Sequence, residues 1–147
     1  MKTSLKFVIL TFAAFGLLSA GAATAKAPTT TYVGNQPKIE TKIFATPTRI
    51  NHISVRTKLV CESGYKENKP YTYGKRKSEG PIPIKANGTF RLKLQNKDNN
   101  YILLFRGKRT GSKITGSFGV RFNVFDACHT GKSYGKYKVP FSATSSN

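Results

Sequence analysis

Residues 114–124 read ITGSFGVRFNV, and along this stretch small or apolar residues alternate with mostly polar ones. The even positions are Ile114, Gly116, Phe118, Val120, Phe122 and Val124. A period of two is that of a β-strand, because successive side chains of a strand point to opposite faces of the sheet. The stretch therefore predicts a long strand with its even positions, Val124 included, turned towards a core.

The same period continues on both sides of this strand, most clearly in residues 51–61. The residues predicted to form the core are Ile53, Val55, Leu59, Phe90, Leu92, Leu103, Phe118, Phe122 and Val139. Roughly seven such segments follow one another without a helical period. They predict an all-β fold, a single antiparallel β-sandwich of the immunoglobulin-like or jelly-roll-like kind, with a small β-barrel as the alternative.

Breaks in the alternation predict the connections between strands. Asn87-Gly88 favours a hairpin turn because both residues tolerate positive φ, and residues 96–100 and 106–111 predict two further turns. Residues 62–80 are rich in Gly, Pro, Lys and Tyr. They are predicted to form the longest irregular loop of the domain, and long loops in compact domains often carry function.

The chain begins with two lysines and an apolar run, residues 7–20, which is followed by Ala23-Thr24-Ala25. Small residues at the first and third of these positions are what a signal peptidase recognises. Residues 1–25 are therefore predicted to be a signal peptide, and the mature protein is predicted to be secreted or otherwise extracytoplasmic, without an integral membrane span. Residues 26–37 are predicted to be a flexible leader, and residues 38–143 the β-sandwich domain.

The chain is strongly basic, with 25 Lys and Arg against 6 Asp and Glu and a net charge of +19. Because Lys2 and Lys6 lie in the predicted signal peptide, the mature protein would carry a net charge of +17. A charge of this size on one small domain attracts anionic polymers and surfaces, although it does not determine the fold.

Cys61 and Cys128 are the only cysteines, and two cysteines in an exported protein are expected to form a disulfide. A zinc site that adds His52 and His129 is the alternative, since structural zinc takes four Cys or His ligands. Adjacent residues of an extended segment point to opposite faces, however, so Cys128 and His129 would not converge on one ion. We therefore predict a disulfide and no metal or other cofactor.

Short glycine motifs follow both cysteines, Cys61-Glu62-Ser63-Gly64 and Cys128-His129-Thr130-Gly131. The other recurring motifs are Gly88-Thr89-Phe90, Thr115-Gly116-Ser117-Phe118 and Val139-Pro140-Phe141-Ser142-Ala143. In this pattern most of residues 50–143 resembles a loose group of small exported bacterial β-sandwich domains, in which both cysteines stand at glycine corners. The resemblance implies a long-range disulfide, and it carries no activity, cofactor or catalytic residue. Members often have Trp in the last strand, which this chain lacks.

Residues for hydrolytic chemistry are few. Glu62 and Glu67 are close in sequence, but a glycosidase needs two carboxylates oriented on one sugar bond. His52 and His129 could serve as the acid and base of a nuclease, but neither lies in a recognisable motif. We therefore predict no enzyme and no catalytic residue, with a minor hydrolase or nuclease as an alternative.

Three basic clusters, residues 65–77, 106–113 and 132–138, stand out, and two of them interleave cations with tyrosines. Such surfaces suit phosphate or sulfate chains, with rings available for bases or sugars. The predicted polyanion-binding residues are Lys66, Lys69, Tyr71, Tyr73, Lys75, Arg76, Lys77, Arg106, Lys108, Arg109, Lys132, Lys136 and Lys138. Residues 65–77 are predicted to be the main contact, because a loop can present such side chains without disturbing the sheet.

The function predicted from the sequence is electrostatic association of an exported, non-enzymatic protein with an anionic polymer or a cell-envelope surface. A protein-interaction module, such as an inhibitor or an envelope component, is the alternative. Binding that weakens steeply with added salt would favour the first hypothesis over the second. The basic residues could also serve only to keep the sheet edges soluble.

Overall fold

The structure is a computed structural model that describes residues 26–74, 76, 78–98 and 100–146. Its strands are β1 (Thr30–Gln36), β2 (Ile39–Ala45), β3 (Arg49–Cys61), β4 (Lys66–Tyr73), β5 (Ile82–Pro83), β6 (Thr89–Asn96), β7 (Tyr101–Thr110), β8 (Lys113–Asn123), β9 (Ala127–His129) and β10 (Val139–Ser146). Helices are absent from the described residues, which confirms the all-β prediction. These residues accordingly include no helix with the length and apolarity needed to cross a membrane. The predicted signal peptide lies outside the described residues.

All strand pairs are antiparallel, and six strands close into a ring. Around this ring β1 pairs with β2, β2 with β3, β3 with β9, β9 with β8, β8 with β10, and β10 with β1. Outside the ring, the free edge of β3 pairs with β4 and β5. The free edge of β8 pairs with β7, which in turn pairs with β6. The two long strands β3 and β8 thus each belong to the ring and carry additional strands.

The core is built from the inward positions of these strands. Phe118 of β8 is fully buried in one cluster with Phe105 and Phe141, whose rings stack with centroids 5.2 Å apart. The predicted core residues that are buried are Ile53, Val55, Leu59, Phe90, Leu103, Phe118 and Val139, while Leu92 and Phe122 are half-buried against the core. Val124 is exposed, so its predicted inward position is wrong, because β8 ends one residue before it.

Residues 26–37, predicted to be a flexible leader, include a strand of the ring. β1 pairs with β2 along its length and with β10 near its start. Tyr32 is buried in the core, and Gly34 lies so close to the Ser142 carbonyl that a Cβ atom would collide with it. The leader prediction is therefore wrong for residues 30–36. The buried ring of Tyr32 and the close approach of Gly34 to the backbone of Ser142 hold this polar segment in place.

Residues 62–80, predicted to be irregular, contain β4. The chain reverses at a turn in which Gly64 has a φ of 88°, and β4 then pairs with β3 along its whole length. The prediction of a loop is wrong for residues 66–73, because backbone pairing with β3 forms this strand even though only Tyr71 and Tyr73 pack against the core.

The turn predicted at residues 106–111 is also wrong, since β7 runs to Thr110 and only Gly111 and Ser112 separate it from β8. Gly111 has a φ of 57°, a conformation that favours glycine. The connection between β6 and β7 does lie where the sequence predicts it, and Asn100 there has a φ of 49°.

Pro140 has no backbone donor, which predicts that the last strand lies at a sheet edge. β10 instead belongs to the ring, between β8 and β1, so the prediction is wrong for the strand as a whole. Pairing with β1 covers only Thr144–Ser146, and Pro140 pairs with Ser117 of β8. The proline is tolerated because β10 is paired on a single edge at that point.

The two cysteines lie directly opposite each other in the β3–β9 pair. The Cα atoms of Cys61 and Cys128 are 4.0 Å apart and their sulfur atoms are at bonding distance, which confirms the predicted pairing. Among the described residues, the group of potential metal ligands at the two cysteines adds Asp126 and no histidine. His52 packs against Phe44, with ring centroids 5.6 Å apart. The geometry therefore does not assemble the four-ligand zinc alternative, and the crosslink fastens β3 to β9 where the ring closes.

Candidate anion-binding groove

A groove of about 840 Å³ opens at the end of the ring where β1 turns into β2. Its walls are residues 36–40, residues 56–58 and 60 of β3, residues 66–68 of β4, and residues from the 131–140 segment, which comprises the β9–β10 connection and the start of β10. Stretches from the β1–β2 turn, the β3–β4 hairpin and the 131–140 segment therefore meet around one concave surface, which we call the basic groove.

The basic groove opens because β3 changes partner along one edge. β3 pairs with β2 as far as Thr57 and with β9 from Val60 onwards, which leaves a gap in the pairing at Lys58 and Leu59. The Thr57 hydroxyl donates a hydrogen bond to the Lys38 carbonyl oxygen at 2.9 Å. This bond holds the β1–β2 turn at the rim of the gap.

The opposite wall is anchored by a buried threonine. The hydroxyl of Thr130 accepts a hydrogen bond from the Val120 N–H at 2.9 Å and donates one to the Tyr137 carbonyl at 2.6 Å. Within the segment, the N–H of Lys132 donates to the Lys136 carbonyl at 3.0 Å. These bonds fix the backbone that carries the lysines of this wall.

Arg121 of β8 engages the tyrosines of the same segment. Its guanidinium carbon lies 5.0 Å from the ring centroid of Tyr134 and 4.9 Å from that of Tyr137. Cations over aromatic faces at such distances attract the ring electrostatically. Gly131 has a φ of 77° and leaves no room for a Cβ atom beside the Tyr137 backbone. The rings of Tyr134 and Tyr137 therefore pack on Arg121 and help to hold this wall in place.

Positive charge dominates the basic groove. The cations that line it are Lys38, Arg56, Lys58, Lys66, Lys132, Lys136 and Lys138, and all are exposed. Its carboxylates, Glu40 and Glu67, each have an ion partner, since Glu40 lies 3.5 Å from Arg56 and Glu67 lies 4.0 Å from Lys69. Like charges around one concave surface raise the local concentration of counter-ions, so the surface attracts anions.

The fold brings together only part of the predicted site. Lys66 comes from one predicted cluster and Lys132, Lys136 and Lys138 from another, and all four line the basic groove. Three further lining cations, Lys38, Arg56 and Lys58, are absent from the predicted set. The outward parity of Arg56 and Lys58 on β3 is a sequence signal, but any solvated strand face gives the same signal.

Among the residues that the structure describes, no other predicted cation of the 65–77 cluster lines the groove. Lys69 is exposed on β4 and pairs with Glu67. Arg76 is exposed in the turn after β4, where its backbone N–H donates to the Glu79 carboxylate at 3.3 Å. Lys75 and Lys77 lie outside the described residues.

Tyr71 and Tyr73, predicted to contact a polyanion, pack against the core. The ring centroid of Tyr71 lies 5.4 Å from that of Phe118, and within the described part of the chain its hydroxyl has no hydrogen-bond partner. Burial raises the pKa of Tyr71 far above its ordinary value, and the neighbouring Tyr101 and Glu67 add to the rise. These rings contribute to the core and are not presented for stacking.

The predicted cluster at residues 106–113 extends from β7 to the start of β8 and does not line the basic groove. Arg109 donates to the carbonyl of Thr46 at 2.8 Å and to that of Pro47, which ties β7 to the β2–β3 turn. Arg106 lines a smaller groove of about 610 Å³, and Lys108 is exposed in the same strand. The other cations that line this smaller groove are Lys85 and Arg91.

Exposed apolar side chains concentrate on two turns near β9. The most exposed large apolar residues that the structure describes are Phe125 at 100%, Tyr65 at 56% and Val124 at 51%. Tyr65 follows the β3–β4 turn and the other two lie in the β8–β9 turn. The Asp126 carboxylate accepts a hydrogen bond from the Ser63 N–H at 3.3 Å, which joins the two turns. We call these three residues the apolar tip.

The residues of the hydrolytic alternatives are not gathered at one site. His52 and His129 line neither groove, and His129 Nδ1 lies 3.1 Å from the carbonyl oxygen of Thr130. Glu62 does not join Glu67 in the basic groove.

Comparisons of the chain with protein-family models, curated proteins and solved structures gave no match.

Proposed function

We propose that this protein is a non-enzymatic binder of anionic polymers and that a chain of phosphate or sulfate groups lies in the basic groove. The observation that carries the proposal is the convergence of seven cations from distant parts of the chain on one concave surface. Only two carboxylates are present among the described lining residues, and both are ion-paired.

The excess charge favours a polymer over a single small anion. Each contact between an exposed lysine and an anion is weak, about 0–1 kcal/mol. A chain with repeated anions makes several such contacts at once and releases its counterions, so its affinity grows with the number of contacts. Because Thr130 and Arg121 hold the 131–140 wall, its lysines keep a defined spacing for such a chain.

The test compares variants that lose the same charge at different places. The groove variant is Lys132→Ser/Lys136→Ser/Lys138→Ser, and the control is Lys93→Ser/Lys97→Ser/Lys113→Ser, whose lysines are exposed outside the groove. Affinity for heparin, a sulfated probe, is measured over a range of salt concentrations. We expect the groove variant to bind more weakly and to lose up to about three units of salt slope, one for each contact removed.

The control should lose clearly less affinity and slope than the groove variant. Equal losses in the two variants would mean that only net charge matters, and the proposal would then be wrong. A third variant, Lys75→Ser/Arg76→Ser/Lys77→Ser, tests the sequence-based hypothesis that residues 65–77 are the main contact. A larger loss in this variant than in the groove variant would place the site there.

A protein-interaction role is the second candidate, and the apolar tip is the observation that favours it. Exposed aromatic side chains held on a tied turn resemble the anchors that dominate protein interfaces. Binding of a protein partner through the tip should be insensitive to salt and should be lost on Phe125→Ser. Heparin binding, by contrast, should be unchanged by that substitution if the first proposal is right.

Export and the sandwich-like architecture are part of the proposal. The bonded cysteine pair is compatible with an oxidising compartment, and the mass of the mature protein after expression of the full chain tests cleavage after Ala25.

A sandwich is supported by the extra strands, which extend from β3 on one side and from β8 on the other. A flattened ring with two such extensions would present two packed sheets.

A further inference from the structure

We infer that the basic groove recognises its ligand only through the repeated anionic groups of the chain, so that a phosphate polymer without bases binds as well as one with bases. This inference rests on the proposed function and narrows the ligand class. The shared chemistry is a flexible row of phosphate groups, whether these belong to a nucleic acid backbone or to another phosphate chain.

The first supporting observation is the chemistry of the lining. None of the described residues that line the groove carries an aromatic ring, and six of its seven cations are lysines. A lysine ammonium acts as a compact point charge on a phosphate, whereas the planar fork of arginine suits bidentate contacts to base edges. Of the two lining amides, Gln36 and Asn68, the first already accepts a hydrogen bond from the Ser142 N–H at 3.0 Å. The single arginine, Arg56, is engaged by Glu40 at 3.5 Å.

The second observation is that the tyrosines near the groove are occupied elsewhere. Tyr134 and Tyr137 pack on the Arg121 guanidinium, and Tyr71 and Tyr73 pack against the core. Proteins that bind single-stranded nucleic acids without sequence preference combine a basic track with rings on which bases stack. The groove has the basic track, and the rings beside it hold the protein together.

One exposed tyrosine requires a separate control. Tyr65 precedes Lys66, which lines the groove, but its own side chain is not part of the lining. A base that stacked on Tyr65 would make nucleic acids bind better than base-free chains. Tyr65→Ser therefore tests stacking on the exposed tyrosine that the structure describes next to the groove.

The experiment measures fluorescence anisotropy with labelled probes of equal phosphate number, an oligo-dT and an abasic deoxyribose-phosphate oligomer, with linear polyphosphate as a third probe. We expect the dT and abasic probes to bind within about twofold of each other, because stacking of even one base would raise affinity about fivefold or more. All three probes should bind more weakly to the groove variant Lys132→Ser/Lys136→Ser/Lys138→Ser, and Tyr65→Ser should leave the dT-to-abasic ratio unchanged.

Two failures can be told apart. If dT binds more than about fivefold tighter than the abasic probe while both respond to the groove variant, the inference is wrong and the proposed function stands. If the probes bind equally but the groove variant weakens them no more than Lys93→Ser/Lys97→Ser/Lys113→Ser does, the proposed function itself is wrong. A dT advantage that disappears in Tyr65→Ser would also overturn the inference and would identify the stacking residue.

Discussion

At the scale of single residues, Phe118 and Phe125 show how differently one side-chain type is used. The exposed fraction of Phe118 is 0% and that of Phe125 is 100%. Phe118 lies in β8 among the largest buried side chains, whereas Phe125 lies in the β8–β9 turn. The two residues therefore form a matched pair for testing the core.

Phe118→Ala should lower the free energy of unfolding by about 3–5 kcal/mol, through lost burial and the cavity that remains. Phe125→Ala should change it by no more than about 0.5 kcal/mol, because its ring gives up no contact with the core. Urea denaturation of both variants measures the difference. Similar small effects in the two variants would show that the inward face of β8 has been assigned incorrectly.

Tyr71 carries a buried hydroxyl that finds no hydrogen-bond partner in the described part of the chain. A buried polar group without a partner costs stability, so Tyr71→Phe should keep or raise the free energy of unfolding at neutral pH, by up to about 1 kcal/mol. Chemical denaturation provides the measurement. A loss above about 1 kcal/mol would mean that the hydroxyl makes a stabilising bond.

The same residue predicts a pH dependence. Because burial raises the pKa of Tyr71 in the folded protein, both folded and unfolded chains keep its proton below about pH 10. Above that pH the unfolded chain releases the proton while the folded chain retains it, so the free energy of unfolding falls as pH rises. Tyr71→Phe should lose stability less steeply than the wild type between about pH 9.5 and 11. Equal slopes would contradict the burial of the hydroxyl.

At the scale of elements, β8 and β4 mark how far the sequence predicts this fold. The alternation around Phe118 identifies β8 directly, because side chains on one face meet the core and those on the other meet water. In β4 only Tyr71 and Tyr73 pack against the core, and the strand forms through backbone pairing with β3. Backbone pairing leaves no periodic signal, so residues 66–73 resemble a loop in the sequence.

The sequence does not predict the basic groove either, and the reason is related. Its lysines are visible in the sequence, and two of the predicted clusters contribute to it. Its concave shape depends on the partner change of β3 between Thr57 and Val60, which is a property of long-range pairing. Lys38, Arg56 and Lys58 join the site only through that pairing, so local charge patterns could not assign them.

Thr130 is the element-scale test of how the groove wall is held. Thr130→Val keeps the shape of the side chain but removes the hydroxyl that bonds Val120 and Tyr137. It should lower the free energy of unfolding by about 1–3 kcal/mol, because it leaves buried backbone groups unpaired. Heparin affinity should fall as well, since the lysines of the 131–140 segment lose their support. Unchanged affinity in a destabilised but folded variant would show that the wall does not need this anchor.

The crosslink between β3 and β9 is the second element-scale test. Cys61→Ala/Cys128→Ala should lower the free energy of unfolding by about 4 kcal/mol, the chain-entropy value for a loop of this length, given a sequence separation of 67 residues. Wild-type protein treated with a reductant should show a similar loss in urea denaturation. A loss below about 1 kcal/mol in both would mean that the strand pairing alone closes the ring.

At the scale of the whole molecule, charge and shape act together. The net charge of +19 attracts anions over long range, and the fold concentrates part of that charge in the basic groove. Diffuse attraction and groove binding both weaken with salt, so salt dependence alone does not distinguish them. What distinguishes them is whether the contacts are confined to the groove.

The most direct measurement is an NMR titration of the isotope-labelled protein with a short heparin fragment, following the backbone amides. Binding in the basic groove predicts that the largest shifts fall on the lining residues of 36–40, 56–60, 66–68 and 131–140. Amides of β6 and β7, which carry exposed cations outside the groove, should move little. Shifts spread evenly over the basic surface, or largest at residues 75–77, would contradict the groove as the binding site.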